Sequence, residues 1–378
     1  MYILNERQEK LKNEVKAFVD REVIPAASEY DRSGVFPLPL VRRCGELGFA
    51  GEALMDGGRY NAVELCVIIE ELARGSASLA LALLPQYLSC DILSAAGGTA
   101  ELLARGFALE TLFGYAISEE SGGSDVLGID TTAIYDGGEW VLNGAKSWIT
   151  NAGSAGGYIV AARTSLTGRS RNISLFYVDA AAEGLSVGSM GALLGVNSCP
   201  HGTLTFTNCR IPGESIIGTE DEGYRLLKPT LLTGRLGVAA IAVGISKRAL
   251  ELAAAYSTST GKYGRNLSSY QGISFMLAEM YAKTAAAKSA VYSAAEQYMR
   301  RMPQSAVSVA AAKLMSTELA CEVTKSARQV HGANGLSRAF EVERCFRDAQ
   351  MLTIAEGTSE ICKIIISNAL TDGKELTI

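Results

Sequence analysis

Histidine and paired cysteine are what this sequence has least of. Its 378 residues include two histidines, His201 and His331, and none of its eight cysteines falls in a C-x-x-C pair. Without a cluster at zinc-ligand spacing no metal site is expected, and both histidines read as packing or surface residues. Cys44, Cys66, Cys90, Cys199, Cys209, Cys321, Cys345 and Cys362 read as buried thiols of a reducing compartment. Long basic runs are missing too. Lys+Arg number 35 against 40 Asp+Glu, for a net charge of -5, so nucleic acid is not an expected partner. No G-x-G-x-x-G follows a strand-like run, which sets aside a Rossmann dinucleotide site. No uninterrupted apolar run reaches the roughly 20 residues of a bilayer span. The opening MYILNERQEKLKNEV soon turns polar and charged, unlike a secretory signal. A soluble protein of the cytoplasm is the expectation.

What the chain does have is apolar residues at helical period. Hydrophobic residues make up 48% of it, and its length exceeds a typical single core, so two or three packed domains are expected. Leu11, Val15, Phe18 and Val19 recur at helical spacing. Helical stretches follow at Ala62 to Ala73 and Ser78 to Ala95, the second carrying Pro85, which should kink or divide it. Near Thr111 the period changes. Thr131 to Tyr135 and Glu139 to Leu142 flank Asp136-Gly137-Gly138 as a hairpin. Tyr158 to Arg163, Ile173 to Val178 and Thr203 to Phe206 supply further short strands, the last closed by Pro212. From about Tyr224 helices return: Gly234 to Tyr256, Tyr270 to Met299, Ser305 to Val330 and the shorter Glu360 to Leu370 predict a four-helix bundle. The fold class is α+β, mostly helical: an N-terminal helical domain over 1–111, a middle β domain over 112–224 and a C-terminal bundle over 225–378. Composition and periodicity name no activity.

The stretch that carries chemistry is Arg347 to Ile361, RDAQMLTIAEGTSEI. Glu356 beside Gly357 puts a carboxylate where backbone can approach a ligand closely, because glycine has no Cβ and tolerates positive φ. Thr358 and Ser359 add hydroxyls at the start of a helical run whose free N–H groups form a small electropositive end. Read alone, the same residues also describe a surface-loop glutamate favoured by the dipole of the next helix.

Three further stretches accompany it: Tyr115 to Asp125 (YAISEESGGSD), Glu139 to Asn151 (EWVLNGAKSWITN) and Gly234 to Met280. In order and spacing the four resemble the acyl-CoA dehydrogenase family, from about Glu6 to Leu370. The resemblance implies FAD as cofactor and Glu356 as the base that takes the α-proton of an acyl thioester, the β-hydrogen leaving as hydride to the flavin. It implies that Tyr115, Ile117 and Ser118 run along the flavin, with Gly123 and Ser124 at phosphate or thioester groups. Trp148, Ile149 and Thr150 would pack against and hydrogen-bond the ring, and Thr358, Ser359 and Glu360 would complete its contacts. Gln271 and the run Gln329, Val330, His331, Gly332 and Ala333 match positions that reach the FAD of a neighbouring subunit, which implies a homodimer or homotetramer. Ser124, Arg235 and Gly357 are the implied thioester contacts, an acyl-CoA the implied substrate and an electron-transfer flavoprotein the implied acceptor.

The match has departures. Thr260 stands where the family carries an arginine that grips the FAD pyrophosphate, and Lys262 replaces it only if the loop is irregular. Leu232 stands where an aspartate contacts the CoA arm, which leaves CoA and carrier-protein thioesters both open. Glu120 replaces a proline, and Ala355 a tyrosine just before the base. Gly234 matches the position from which a minority of members supply their base, and it carries no acid. Asp91 lies in the apolar run Tyr87 to Ala95, which by resemblance lines the acyl pocket. A carboxylate there, with the space left by Ala355, suits a short branched or alicyclic acyl group, with Asp91 as a second base beyond the β carbon. The plainer expectation is that Asp91 caps a helix or meets water after the break near Pro85. A flavin oxidase or hydroxylase on the same fold and a catalytically silent helical interaction protein are the competing readings.

Overall fold

The computed structural model describes residues 2–97, 99–165 and 172–371; residues 372–378 of the expected C-terminal domain lie outside them. The N-terminal part is helical because apolar residues recur at helical spacing and most of its helices open on a capping side chain or a proline in the first turn. Asn5 caps α1 (Glu6–Phe18) in a reciprocal capping box with Gln8. Next come α2 (Ile24–Ser33), closed by Gly34 in the left-handed region, and α3 (Leu38–Glu46). A minimal hairpin, β1 (Met55–Asp56) and β2 (Arg59–Tyr60), leads to α4 (Ala62–Gly75), capped by Asn61, and α5 (Ala77–Ala96), capped by Ser76. A short α6 (Ala100–Phe107) follows. Helix α5 runs unbroken through Pro85, so the expected division does not occur. Residues 77–93 are all buried, and packing on every side outweighs the roughly 3 kcal/mol a mid-helix proline costs. Asp91 is accordingly a mid-helix residue and caps nothing.

The middle part is one sheet. Its strands are β3 (Phe113–Ala116), β4 (Thr132–Asp136), β5 (Glu139–Thr150), β6 (Gly157–Arg163), β7 (Ile173–Asp179), β8 (Leu185–Ser189), β9 (His201–Pro212) and β10 (Ile216–Ile217). Among the described residues the order is β10-β7-β6-β4-β5-β9-β8, with β3 running parallel to β6. The β4–β5 hairpin turns at Gly137 and Gly138, with φ of 63° and 98°, as the Asp-Gly-Gly run predicts. Trp140, Leu142, Ile149, Phe176, Leu204 and Phe206 form a second core within the sheet.

The C-terminal part opens with α7 (Gly223–Ser259), which starts well before the expected Gly234 and passes through Pro229. A hairpin of β11 (Gly261–Lys262) and β12 (Arg265–Asn266) follows, so Thr260 and Lys262 sit off the helix. Then come α8 (Gln271–Met299), α9 (Ser305–Val330), α10 (Val342–Gln350) and α11 (Ser359–Thr371). Helix α9 packs against α7, α8 and α11 to make the bundle. Helices α5 and α7 are long and apolar enough to cross a membrane, although no uninterrupted apolar run marks them. Their most apolar windows are 83% and 72% buried inside the fold, which makes them core helices here.

Helix α10 was not foreseen, and it ties the three parts together. Arg347 pairs with Asp31 of α2 at 2.6 Å, Asp348 accepts from the Val196 N–H of the middle part at 2.7 Å, and Arg344 donates to the Gly75 carbonyl at the end of α4 at 3.1 Å. The E-G-T loop leaves the end of this clasp.

Candidate active site

Between α10 and α11 the chain makes a single turn at Met351–Thr353 and then passes through Glu356 at φ 53° and Gly357 at φ 97°. A left-handed backbone at a residue with a Cβ costs of order 1–3 kcal/mol and persists only where its surroundings hold it. Here Lys313 of α9 does the holding. Its side chain is fully buried, and its Nζ donates to the Thr353 carbonyl at 3.2 Å and the Gly357 carbonyl at 2.7 Å, bracketing the glutamate. Just beyond, Ser359 donates to Glu318 of α9 at 2.6 Å, and Thr358 Oγ1 accepts from the Ile361 N–H at 3.2 Å to begin α11. The N–H groups of Glu356 and Gly357 donate to no described residue.

The Glu356 carboxylate lies on α7 at Gly234, where any Cβ would collide with its Oε2. Burial raises its pKa above the ordinary 4.5, and Arg235 and Lys313 pull it partly back. Arg235 lies over Gly357, and its buried Nε has no hydrogen-bond partner among the described residues. One turn of α7 gathers the rest of the site. Thr230 donates to the Leu227 carbonyl at 2.8 Å, so the Tyr115 hydroxyl from β3 donates to Thr230 at 2.9 Å. Burial, and then the charge of Glu356, push the Tyr115 pKa up. Thr233 meets Asp91 Oδ2 at 3.4 Å, and the Tyr60 N–H donates to Asp91 Oδ1 at 2.8 Å. Asp91 is 3% exposed, and burial pushes its pKa up to about 7.

Trp148 is not a regular strand residue. The β5–β9 register slips between Lys146 and Ile149, and the bulge carries Trp148 at φ 60° with 59% of its surface exposed. Beneath it, buried Lys146 donates to Glu119 at 2.6 Å and to the Ile117 carbonyl at 3.1 Å, and the Ser147 N–H donates to the Ser118 carbonyl at 2.9 Å. These bonds fix the 117–119 segment against β5. Ser118 is partly buried, and Gly123 and Ser124 are exposed, whereas the side chains of Ile117 and Ile149 point into cores. Thr150 pairs with His201 at 3.2 Å.

Gln271, Gln329, Gly332 and Ala333 are exposed on the bundle, and Val330 and His331 are buried beneath them, the His331 ring stacked on Tyr256 at 4.2 Å. No hydrogen bond among the described residues joins them to the Tyr115–Thr150 side. The Ser359 hydroxyl faces Glu318, and Glu360 is exposed.

Thr230, Thr233 and Lys313 were not anticipated. Lys313 alone left a signal, a lone cation in the apolar VAAAKLM run, which must find partners if it is buried. Lys313→Met leaves two loop carbonyls without a donor and is expected to cost about 1–3 kcal/mol, read as a lower denaturant midpoint. A midpoint equal to wild type would show that the loop holds itself.

Family models for the acyl-CoA dehydrogenase N-terminal, middle and C-terminal domains match residues 5–105, 114–209 and 221–371. The chain is 36% identical to Probable acyl-CoA dehydrogenase FadE25 of Mycobacterium tuberculosis over 385 residues, covering 98% of this chain and 97% of that one. It superposes on butyryl-CoA dehydrogenase from Megasphaera elsdenii with a TM-score of 0.92 at 30% identity, covering 98% and 99% of the two chains. A chain solved in work on the electron transferring flavoprotein of Acidaminococcus fermentans and flavin-based electron bifurcation superposes with a TM-score of 0.94, also at 30% identity and with the same coverage. A helical, β and helical part around the buried carboxylates of Glu356 and Asp91 is the build of a flavin-dependent oxidoreductase. The chain belongs to the acyl-CoA dehydrogenase family.

The residues present fit a flavin. The bulge offers an exposed indole as an apolar plate, with the hydroxyls of Ser118 and Ser124 and the bare backbone at Gly123 as polar partners.

Proposed function

We propose that this protein is a FAD-dependent acyl-CoA dehydrogenase with Glu356 as its base, acting on a short branched or alicyclic acyl group. The observation that supports this reading is the seat of the Glu356 carboxylate on Gly234, in the same turn of α7 that reaches Tyr115 and Asp91. Trp148, Ser118, Thr150, Gly123 and Ser124 would hold FAD, with Tyr115, Ile117, Ile149 and Thr358 along it. When bound, the cofactor accepts the β-hydrogen as hydride.

The chain's own residues do the rest. Glu356 takes the α-proton, and its burial, by raising proton affinity, makes it a stronger base than a solvated carboxylate. The free N–H groups at Glu356 and Gly357 can donate to the thioester oxygen and stabilise the charge that develops there. Arg235, with its unpaired Nε, holds the thioester side of the loop. Lys313 fixes the loop so that base and N–H groups keep one geometry.

Asp91 would set the acyl preference. A buried acid of pKa about 7 beside Thr233 makes one wall of the pocket polar, which disfavours a long straight chain. Asp91→Asn is expected to change the ranking of cyclic, branched and straight-chain thioesters by about tenfold, an effect on the order of one buried polar contact. It should also flatten the pH dependence of stability. A folded pKa raised above the unfolded one favours folding below about pH 4, and the benefit is lost as pH rises through about 7. Asn at this position removes that loss, of order 4 kcal/mol. An unchanged ranking, together with an unchanged pH profile of melting, contradicts the assignment.

The exposed Gln271, Gln329, Gly332 and Ala333 are suited to a neighbouring subunit's flavin, which supports a homo-oligomer, dimer or tetramer. The Acidaminococcus neighbour supports an electron-transfer flavoprotein as acceptor. Eight free cysteines support a cytoplasmic setting. The experiment is an anaerobic screen of acyl-CoA thioesters against the yellow protein, with bleaching of the flavin as the readout.

A further inference from the structure

The chemistry above leaves the partner of Thr150 unused. Thr150 and His201 are directly opposed on β5 and β9, and two contacts fix the imidazole. Its Nδ1 lies 2.9 Å from the Cys199 carbonyl oxygen, and its Nε2 lies 3.2 Å from Thr150 Oγ1. A carbonyl only accepts, so Nδ1 carries the hydrogen, and in the neutral ring Nε2 is left as a lone pair. The Thr150 hydroxyl must then donate to it. Its hydrogen is committed to His201, and what it presents to anything in front of it is oxygen lone pairs. A second proton on the ring reverses the bond. Nε2–H then donates to Thr150, and the threonine hydrogen becomes free to point outward.

We infer that His201 is a positioning residue that decides whether Thr150 offers the flavin ring a lone pair or a hydrogen. This rests on the reading of Thr150 as a flavin contact. It does not depend on the identity of the acyl group.

The surroundings keep the pair in the first state near neutral pH. Desolvation holds the His201 pKa below its ordinary 6.5, and among the described residues no charged side chain acts on it. On β5, Lys146 is spent on Glu119, and Glu139 with Arg210 of β9 forms an exposed cluster at the far end of the strands. Strand β8, on the other side, carries no charged residue. The Met190 N–H next to it is taken by the His201 carbonyl. Protonation therefore brings no compensating ion pair, and the reversal belongs to acid pH. With FAD bound, a half-buried hydroxyl aimed by a neutral histidine would favour ring states that donate toward it, and one beside a protonated histidine would favour states that accept.

The test uses the FAD-loaded protein without substrate. The visible absorbance of bound flavin responds to hydrogen bonding at its ring, and it is recorded from pH 5 to 8. Wild type should show a single-proton transition below pH 6.5. His201→Phe should abolish it while keeping one FAD per chain at pH 8, and Thr150→Val should abolish it in the fraction of the protein that still carries FAD. A wild type without the transition, or a transition that survives in His201→Phe, overturns the inference. The bond direction is read separately in the chain without cofactor. Only two histidines are present, so solid-state 15N-histidine spectra identify His201 as the signal missing from His201→Phe. It should be the Nδ1–H tautomer, and an Nε2–H tautomer overturns the inference. A protein that takes up no FAD sinks the flavin reading and this role with it, while the tautomer still decides the Thr150–His201 geometry.

Discussion

Glu356→Gln should leave FAD and thioester binding within a few-fold of wild type and slow bleaching of the flavin by substrate about 10³-fold, the usual range for loss of a positioned general base. The variant keeps the side-chain volume. It also keeps the loop, because Lys313 holds carbonyls of Thr353 and Gly357 and makes no hydrogen bond to the carboxylate itself. Only the basic oxygen is lost. The pH profile carries a second expectation. Burial raises the carboxylate pKa above 4.5, and the base works only when ionised. The wild-type bleaching rate should therefore climb with pH through a pKa above that value, and the residual rate of Glu356→Gln should lack that limb. Stopped-flow mixing under anaerobic conditions measures both. Near-normal bleaching by the variant would place the base elsewhere.

Gly234→Ala is expected to separate activity from stability. In the middle of a long helix, alanine is favoured over glycine by up to about 1 kcal/mol, and Gly234 is buried within α7. Its new Cβ would meet the Glu356 Oε2. The far end of a flexible side chain gives way more easily than helix backbone, so the carboxylate shifts and the helix stays. Displacing a catalytic group by about 1 Å costs on the order of 10²-fold. The variant should melt at or above the wild-type temperature, carry its full complement of FAD, and bleach about 10²-fold more slowly. A variant as fast as wild type would show that the base leaves Gly234 before it reacts.

The sequence showed its long elements and hid the contacts that join them. Alanine-rich runs with almost no Pro or Gly marked α8 and α9, and the Asp-Gly-Gly turn marked the β4–β5 hairpin. Strand β8 was missed because four of its five residues are exposed, so it has no buried face to alternate against. Helix α10 was missed because residues in VERCFRDAQ serve other domains: Arg347 reaches Asp31, and Asp348 reaches Val196. Pro85 does not divide α5, since a local cost yields to packing over the whole length of the helix. The outward turn of Trp148 comes from a register slip against β9, which no local pattern of β5 encodes. Glu356 and the flavin-side residues were legible only through four motifs resembling a family. Thr230, Thr233 and Lys313 act through partners far away in sequence, Thr233 meeting Asp91 across 142 positions, and periodicity carries no information about such pairs.

The account turns on Glu356 removing the α-proton of an acyl-CoA, and one measurement addresses that directly. Yellow protein is mixed anaerobically with a branched or alicyclic acyl-CoA, unlabelled or deuterated at the α carbon, and flavin bleaching is followed through a single turnover. The prediction is rapid bleaching, slowed several-fold by α-deuterium in the wild type and about 10³-fold by Glu356→Gln. Bleaching by no acyl-CoA, or bleaching indifferent to both the α-deuterium and Glu356→Gln, would contradict it.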